Sequence, residues 1–308
     1  MSTSKHDRIT RQNPSSGTRA RNVMSMSKVT DQQDLSTARS RQPEQPHNTH
    51  RAPRRGLSSK MRNLQMTKED KLLVFGTPIL ILVVFGAWFI WRTTATLTDV
   101  EMRQLAWSVI GRRTLEHLRI VVISAIIVLA VGLPLGIVLT RQRMKFLVPI
   151  VTGIGNAGQS APVIGVIVFL AMWLGFGTPV AILSLSLYAF LPVLANTIAG
   201  LQGVDKELIE SARGMGMTPW QILWRIEIPL ASSVILNGVR TALVLLVGVG
   251  AFATFIDAGG LGALIQSGIV LFRYRVLVSG AILVALLALF VDWIGRIVEI
   301  AVTPKGIS

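Results

Sequence analysis

A glycine-rich stretch inside an apolar segment is the first candidate for chemistry in this sequence. Its letters, Gly153-Ile154-Gly155-Asn156-Ala157-Gly158, fit the fingerprint with which dinucleotide-binding domains hold a pyrophosphate. That fingerprint needs a preceding strand and an acidic residue about 20 positions later. The segment offers neither, so we reject nucleotide binding. The glycines, followed by Pro162, instead predict a break in an apolar helix.

Polar residues accompany this break. Backbone groups freed at membrane depth must face protein or a water-filled cavity, because lipid cannot hydrogen-bond them. Asn156, Gln159 and Ser160 are therefore candidates for lining a translocation path. A Gly/Pro kink that serves helix packing alone is the alternative, and the residue types do not separate the two.

Three further polar residues, Asn237, Arg240 and Asp292, interrupt apolar runs, where such groups are costly and often functional. Arg240 lies near the start of its run, and its long side chain can reach the interface. Asp292 can pair with Arg240, or with Arg296 one helical turn later. We interpret this set as a structural ion pair, and a proton relay is the alternative.

Several enzyme classes find no support in the sequence. The chain has no cysteine, which excludes disulfides, zinc–thiolate sites and thiol nucleophiles. It lacks His-Glu-x-x-His, Gly-x-Ser-x-Gly and a carboxylate pair at membrane depth, which argues against an intramembrane enzyme. It also lacks the Gly-Lys-Ser/Thr phosphate loop, so we expect no ATP hydrolysis by this chain. No histidine lies in an apolar run, so we expect solvated histidines and no metal site.

The elements that position these residues are predicted to be membrane-spanning helices. Hydrophobic residues make up 51% of the 308 residues and charged ones 15%, a balance too apolar for an ordinary soluble domain. Several runs approach the ~20 apolar residues that a spanning helix needs. The predicted spans are residues 72–91, 120–139, 146–174 (broken), 180–201, 232–256 and 276–301. We place Trp88 and Trp91 in an interfacial belt and the polar stretch 92–116 in a loop.

Residues 1–70 differ from the rest because they are polar and basic, with almost no apolar periodicity, which predicts disorder. More than half of the net charge of +15 lies in this stretch. It has no interleaved aromatic residues and no recognisable nucleic-acid module. We therefore expect no nucleic acid but a cytoplasmic tail that contacts anionic lipid. With six spans, the positive-inside rule places both termini and the basic turn Arg141–Lys145 in the cytoplasm.

A polar island at residues 203–229 separates the fourth and fifth spans. Asp205 is expected to cap a short helix, and Gly214 and Gly216 to end it. Thr218, followed by proline, is expected to cap the next helix. The first helix should present an apolar ridge on one face, formed by Leu208, Ile209 and Ala212. A short amphipathic helix between two spans predicts a docking element.

This island resembles a cytoplasmic loop of ABC-importer permeases, which reads Glu-Ala-Ala, three residues, Gly, nine residues, Ile-x-Leu-Pro. Ser211 replaces the middle alanine and Ile228 replaces the leucine. The residues that match at the required spacing are Glu210, Ala212, Gly216, Ile226 and Pro229.

In that family the loop is a coupling helix, seated in a cleft of a cytoplasmic ATPase that moves the transmembrane helices. The resemblance therefore implies an all-α, type I ABC importer permease fold in a bacterial inner membrane. It also implies that ATP and magnesium are bound by the partner ATPase. The coupling residues that it implies are Glu207, Leu208, Glu210, Ser211, Ala212, Gly214, Gly216 and Pro229.

From about residue 118 to 306 the chain looks most like the osmoprotectant branch of these permeases, which take glycine betaine, carnitine or choline. Three segments carry this likeness, at residues 156–162, 191–197 and 259–262. The third resembles a segment near the external gate, with a plain re-entrant turn as the alternative. It implies the gate residues Gly259, Gly260, Leu261 and Gly262. We accordingly divide the chain into a tail (1–70), a first span with its external loop (71–117) and a permease core (118–306).

Quaternary ammonium compounds are recognised by cation–π contacts in aromatic cages. Aromatic residues are only 6% of this chain, so we expect recognition by a separate extracytoplasmic binding protein, since no region here is predicted to fold as one. Tyr188 is a candidate for contact with a passing cation, and Asn196 for lining the same path. We also expect a second permease, either an identical copy or a related chain. A methionine-type or sulfonate-type permease, or an ion-gradient-driven transporter, remains the alternative.

Overall fold

The computed structural model describes residues 68–302, and every regular element in that range is helical. The basic tail predicted for residues 1–70 lies outside the described residues except for its last three, which begin the first helix. Short 3-10 turns lie at Lys145–Leu147 and Ala251–Ile256, and a π-helical turn lies at Leu223–Glu227. The α-helices are α1 Lys68–Thr94, α2 Asp99–Gln104, α3 Trp107–Leu139, α4 Val148–Gln159, α5 Val163–Leu174, α6 Thr178–Gln202, α7 Lys206–Gly214, α8 Pro219–Ile222, α9 Ile228–Gly250, α10 Gly262–Val270 and α11 Tyr274–Val302.

Five helical runs are long and apolar enough to cross a membrane, and a sharply bent pair can form a sixth span. The five runs are residues 73–94, 107–139, 178–202, 219–256 and 274–302. The bent pair joins Lys145–Gln159 to Val163–Leu174 at an angle of 95°. The predicted helical fold with about six spans is confirmed, and so is the break in the third predicted span.

The polar stretch predicted as a loop between the first two spans is wrong in detail, because it is largely helical. Helix α2 lies inside it, and α3 begins at Trp107 rather than Ile120. Leu105 and Ile110 are buried against Leu261 and Val276, so the stretch has an apolar face of its own. Because this face is buried, the helix of the second span begins well before the apolar run from which the span was predicted.

Two residues expected near water, one at the membrane interface and one exposed to solvent, are buried in the protein. Trp88 is 4% exposed; its indole N–H donates to the Ser279 hydroxyl at 3.1 Å. His117, expected to be solvated, is 1% exposed, and its Nε2 lies 3.0 Å from the Val247 carbonyl oxygen. The expectation of a solvated histidine was therefore wrong for His117, because its ring finds a polar partner on a neighbouring helix, which allows a polar group to be buried. The interfacial position of Trp88 stays a prediction.

Helix α6 lies at the centre of the described helices, between α3 and α9. Its residues Val193 and Thr197 face α3, where a methyl group added at Gly136 would lie 2.6 Å from the Thr197 methyl. Its residues Pro192, Asn196 and Gly200 face α9, which approaches closely at Gly238. Within each of these two sets the residues are four positions apart, so each set lies along one face of α6. Small residues permit this close approach, which stabilises helix pairs in lipid.

Outer helices are attached to this centre by polar contacts. Arg240 in α9 donates to the two carboxylate oxygens of Asp292 in α11 at 2.6 and 3.0 Å. Arg240 also lies 3.5 Å from the Glu299 carboxylate. Trp293 in α11 donates to the Val74 carbonyl of α1 at 2.8 Å. The predicted ion pair between Arg240 and Asp292 is therefore confirmed as a link between two spans.

We predict that Gly238→Ala destabilises the protein by about 1–3 kcal/mol, because an added methyl group overlaps Asn196 at a closed helix contact. Gly248→Ala in the same helix is the matched control, since its methyl group meets nothing within 4 Å. Thermal unfolding of both purified variants in detergent measures the difference. Equal melting temperatures would contradict the close α6–α9 packing.

We also predict a pH-dependent contribution from Glu101, which caps α2. The Thr98 backbone N–H donates to its carboxylate at 2.9 Å, and this bond holds the pKa of Glu101 below its ordinary value of 4.5. The stabilisation is therefore present above that value and is lost as the pH falls through the lower pKa of the folded state. Glu101→Gln keeps an oxygen acceptor for the Thr98 N–H but loses the negative charge at the start of α2 and 3.5 Å from Arg275, so it should cost about 0.3–1 kcal/mol at neutral pH. In thermal unfolding across pH, a gap from wild type that does not narrow in acid would contradict this assignment.

Candidate functional site

The polar island forms a capped helix, α7, as the sequence predicts. The Asp205 carboxylate accepts a hydrogen bond from the Glu207 backbone N–H at 2.9 Å. Glu207 itself lies in the first turn, where a negative charge complements the positive end of the helix dipole. The Thr218 hydroxyl and the Gln221 side chain form a reciprocal capping box at the start of α8. Both helix starts are thus fixed by the residues that the sequence predicts.

The end of α7 depends on one glycine rather than two. Gly216 has φ 80°, a left-handed conformation that other residues rarely adopt. Its N–H donates to the Arg213 carbonyl, and the Met217 N–H donates to the Ala212 carbonyl at 3.1 Å. This pair of bonds is the Schellman motif, which satisfies the last carbonyls of a helix. Gly214 is the last helical residue and does not take this conformation.

The two faces of α7 have different surroundings. Ala212 is fully buried, and Ile209 packs against a cluster formed by Leu201, Val204, Leu223 and Ala231. Leu208 is 49% exposed, so the expected three-residue ridge divides between the two faces. The exposed face also contains Glu207, Glu210 and Ser211. The arrangement holds α7 against the spans and leaves exposed a surface of apolar, acidic and basic side chains, since Lys206 and Arg213 are exposed as well.

Pro229 lies after the π-helical turn, near the start of α9, rather than at the end of a loop. Helical structure continues through it, so residues 219–256 form a single run. Met215, Trp220 and Trp224 are large apolar side chains exposed near α7, and the two tryptophans contact each other edge-on at 5.5 Å. Helix α8 is therefore joined to the fifth span without a break in the helix.

The polar residues of the break lie at the end of α4. Asn156 and Ser160 are exposed, Gln159 is half-buried, and the Ser160 hydroxyl donates to the Asn156 carbonyl at 3.0 Å. Helix α4 packs on α6 where Gly155 meets Leu191, and a methyl group at Gly155 would overlap that side chain. The break thus places three polar residues together at a bend of the third span.

Helix α6 contributes the other two path candidates, and they differ in their surroundings. Tyr188 is half-buried and lies one turn from Leu191, on the side of α6 that α4 contacts. Pro192 has no N–H, so the Tyr188 carbonyl lacks its usual hydrogen bond within the helix and can accept one from another group. Asn196 instead donates to the Pro192 carbonyl at 2.8 Å and packs against Gly238. The geometry of Asn196 favours helix packing.

The segment proposed as an external gate is a tight turn held against α3. Gly259 and Gly260 have φ 80° and 87°, and the Gly260 N–H donates to the Glu116 carboxylate at 3.1 Å. Arg113 donates to the same carboxylate at 2.9 Å. Leu261 is buried, and Gly262 leaves no room for a side chain beside the Ala251 backbone. The turn ends where α10, a short and largely apolar helix, begins.

Sequence reasoning missed the polar contacts that join distant segments. Glu116 accepts the Gly260 N–H of the turn, His117 contacts the Val247 carbonyl of α9, and Arg141 pairs with Glu227, 86 residues further along the chain. The one sequence feature that could have indicated these contacts is the position of the charged or polar residues beside apolar runs. Among residues 68–302, no three His, Cys, Asp or Glu side chains come together as metal ligands would. The polar groups of the described residues therefore either join helices to one another or lie on the exposed face of α7.

Comparison with known proteins identifies relatives of this arrangement. The family model described as "Binding-protein-dependent transport system inner membrane component" matches residues 132–303. The carnitine transport permease protein OpuCB of Listeria monocytogenes is 42% identical over 195 residues, which cover 63% of this chain and 88% of that protein. The glycine betaine/carnitine/choline transport system permease protein OpuCB of Bacillus subtilis is 40% identical over 196 residues, covering 64% and 89%.

Solved structures agree with these relatives in fold. An inward-facing structure of the MetNI methionine ABC transporter has a chain that is 28% identical to this one, with a TM-score of 0.58. The alignment covers 68% of this chain and 100% of that chain. The helical arrangement described above is therefore that of an ABC importer permease.

We predict that Gly216→Ala loosens the end of α7, because a left-handed alanine costs about 1–2 kcal/mol. Hydrogen exchange of the amides of residues 206–217 should become faster in this variant. Gly214→Ala is the matched control, since its methyl group meets nothing within 4 Å and its backbone is not left-handed. Equal acceleration in both variants would contradict the role of Gly216 in ending the helix.

Proposed function

Since the chain belongs to the family of binding-protein-dependent transport system inner membrane components, we propose that it moves an osmoprotectant quaternary ammonium compound across the membrane. The compound is glycine betaine, carnitine or choline, delivered by an extracytoplasmic binding protein. A separate cytoplasmic ATPase binds ATP and magnesium and drives the movement. The observation that supports this proposal most directly is the exposed, rigidly capped helix α7 between two packed spans.

The surface of α7 suits the docking of an ATPase. Its inner face is fixed by Ala212 and Ile209, so a force applied to its outer face is passed to the spans. Its outer face offers Leu208 as an apolar contact, with Glu207 and Glu210 beside it. The large apolar side chains of Met215, Trp220 and Trp224 are also exposed just after α7, and several exposed apolar residues in one region are typical of a protein-interaction surface. This supports the assignment of residues 203–229 as the coupling loop.

The position of the broken span supports a path between two permeases. Asn156 and Ser160 are exposed on the surface of a single copy, where contact with lipid would be costly. A second permease facing them would enclose a polar path and cover the exposed apolar residues of α5, among them Phe169 and Trp173. Asn156, Gln159, Ser160 and Tyr188 are the residues that we assign to this path. Gly259–Gly262 is assigned to its outer end, where Glu116 holds the turn.

The named relatives support the choice of substrate. Those at 40–42% identity include permeases named for carnitine and for glycine betaine, carnitine and choline, whereas the methionine transporter is 28% identical. The quaternary ammonium group that the three compounds share has no N–H and needs no hydrogen-bond acceptor, and the half-buried ring of Tyr188 offers it a cation–π contact of moderate strength. High-affinity recognition is accordingly assigned to the binding protein.

An ion-gradient-driven transporter has less support. Such transporters use paired broken helices from two repeats. Among residues 68–302 there is one sharply bent pair, and the acidic Asp292 is engaged by Arg240. The family match also covers the coupling loop, which an ion-driven carrier does not need.

The substrate is tested by uptake of labelled glycine betaine, carnitine and choline in cells that lack their own systems. This chain is co-expressed with its neighbouring binding protein and ATPase. We expect uptake of at least one of the three compounds, unaffected by excess unlabelled methionine. Uptake of methionine with none of the three would move the chain to the methionine-type permeases and contradict the proposed substrate.

We predict that Glu210→Trp uncouples ATP hydrolysis from uptake without preventing membrane insertion, because a bulky group on the exposed face of α7 disturbs docking. Uptake should fall at least about tenfold, the effect of losing one charge-assisted contact of about 1.5 kcal/mol. Arg103→Trp, at an exposed position on α2, is the control for adding a tryptophan to the surface. Normal uptake per molecule of inserted Glu210→Trp protein would contradict the coupling assignment.

A further inference from the structure

The helical run that follows α8 contains a π-helical turn at Leu223–Glu227, where the Ile228 N–H donates to the Leu223 carbonyl. Pro229 follows directly and has no N–H, and in a regular α-helix its ring would clash with the carbonyl of Arg225. The wider π turn accommodates the proline without ending the helix. Single π turns of this kind occur frequently at functional sites.

A buried carboxylate lies in this turn. Glu227 is 8% exposed, and both of its oxygens accept hydrogen bonds from the Arg141 guanidinium, at 2.5 and 3.5 Å. A buried charge is costly unless it is paired, so the turn depends on Arg141. Arg141 also donates to the Ile137 carbonyl at 3.3 Å, which attaches it to the last turn of α3.

The pair joins two parts of the protein that the chain keeps far apart. On one side, Leu223 belongs to the cluster that the inner face of α7 contacts through Ile209. On the other side, Arg141 begins the short connection to α4. Leu147 and Val148, at the end of that connection, pack against the buried Leu139 and Leu194. A continuous set of contacts therefore runs from α7 to the broken span.

We propose that the π turn and the Arg141–Glu227 ion pair form a joint that passes the displacement of α7 to the broken span α4–α5. The inference rests on the proposed function, because it assumes an ATPase that moves α7. Helix α9 alone would pass that movement to the fifth span. The ion pair adds a second route, to the span that contains Asn156, Gln159 and Ser160. Arg141 and Glu227 are thus positioning residues and do not contact the substrate.

The joint is tested in proteoliposomes that contain the complete complex of this chain, its ATPase and its binding protein. The quantity measured is the number of substrate molecules transported per ATP hydrolysed. Glu227→Gln and Arg141→Gln each remove the charge attraction, and each should lower this ratio about tenfold, as expected for a charge-assisted bond. The double variant should be no worse than either single one, because both changes break the same pair.

Arg143→Gln is the matched control, since Arg143 is exposed in the same cytoplasmic turn and makes no ion pair with another described residue. It should leave the ratio unchanged. Pro229→Ala provides a second variant that keeps both charges but restores the missing N–H, and it should lower the ratio by allowing a regular α-helical turn.

Three results would overturn the joint. The first is a normal ratio in assembled Glu227→Gln or Arg141→Gln complexes that show only a lower melting temperature, since the pair would then be structural alone. The second is a double variant whose loss is the product of the single losses. The third, which decides the matter if the charge variants do not assemble, is a normal ratio in Pro229→Ala. Failure of the wild-type complex to transport would count against the proposed function instead, so the two failures are distinguishable.

Discussion

The close contact of α6 with α3 on one side and α9 on the other is the constraint on which the rest of the structure depends. In a bilayer the hydrophobic effect does not draw helices together, so association relies on close packing and on polar contacts between helices. Gly136 and Gly238 allow the neighbouring backbones to approach Thr197 and Asn196 to within contact distance. Two sets of residues four positions apart on α6 form its two contact faces, one packed against α3 and the other against α9. The central helix is thereby fixed on both sides.

This central contact determines where helix α7 lies. Helix α7 connects the end of α6 to the run that becomes α9, so it cannot move without pulling on the two most closely packed spans. The caps at Asp205 and Thr218 and the left-handed Gly216 keep the element short and stiff. Around the centre, Arg240 holds α11 and Arg141 holds the turn before α4. Charged residues thus provide the links that apolar packing cannot provide in lipid, and each is engaged by a carboxylate.

Much of this architecture could be predicted from the sequence because its signals are local. Runs of apolar residues predict the spans, and Asp205, Gly216 and Thr218 predict the helix ends through short-range hydrogen bonds. Contacts between distant residues could not be predicted in the same way. The pairing of Arg141 with Glu227 and the burial of His117 depend on which helices become neighbours. The prediction that Leu208 shares the buried face of Ile209 and Ala212 was wrong, because a nine-residue helix has too few positions to define its orientation.

The central claim is that ATP hydrolysis by a partner, acting through α7, moves the transported compound. The most direct test measures uptake in cells under two separate treatments, one that collapses the proton gradient and one that depletes ATP. We expect uptake to persist when the gradient is lost and to stop when ATP is depleted. Uptake that stops with the gradient while ATP remains would contradict the central claim.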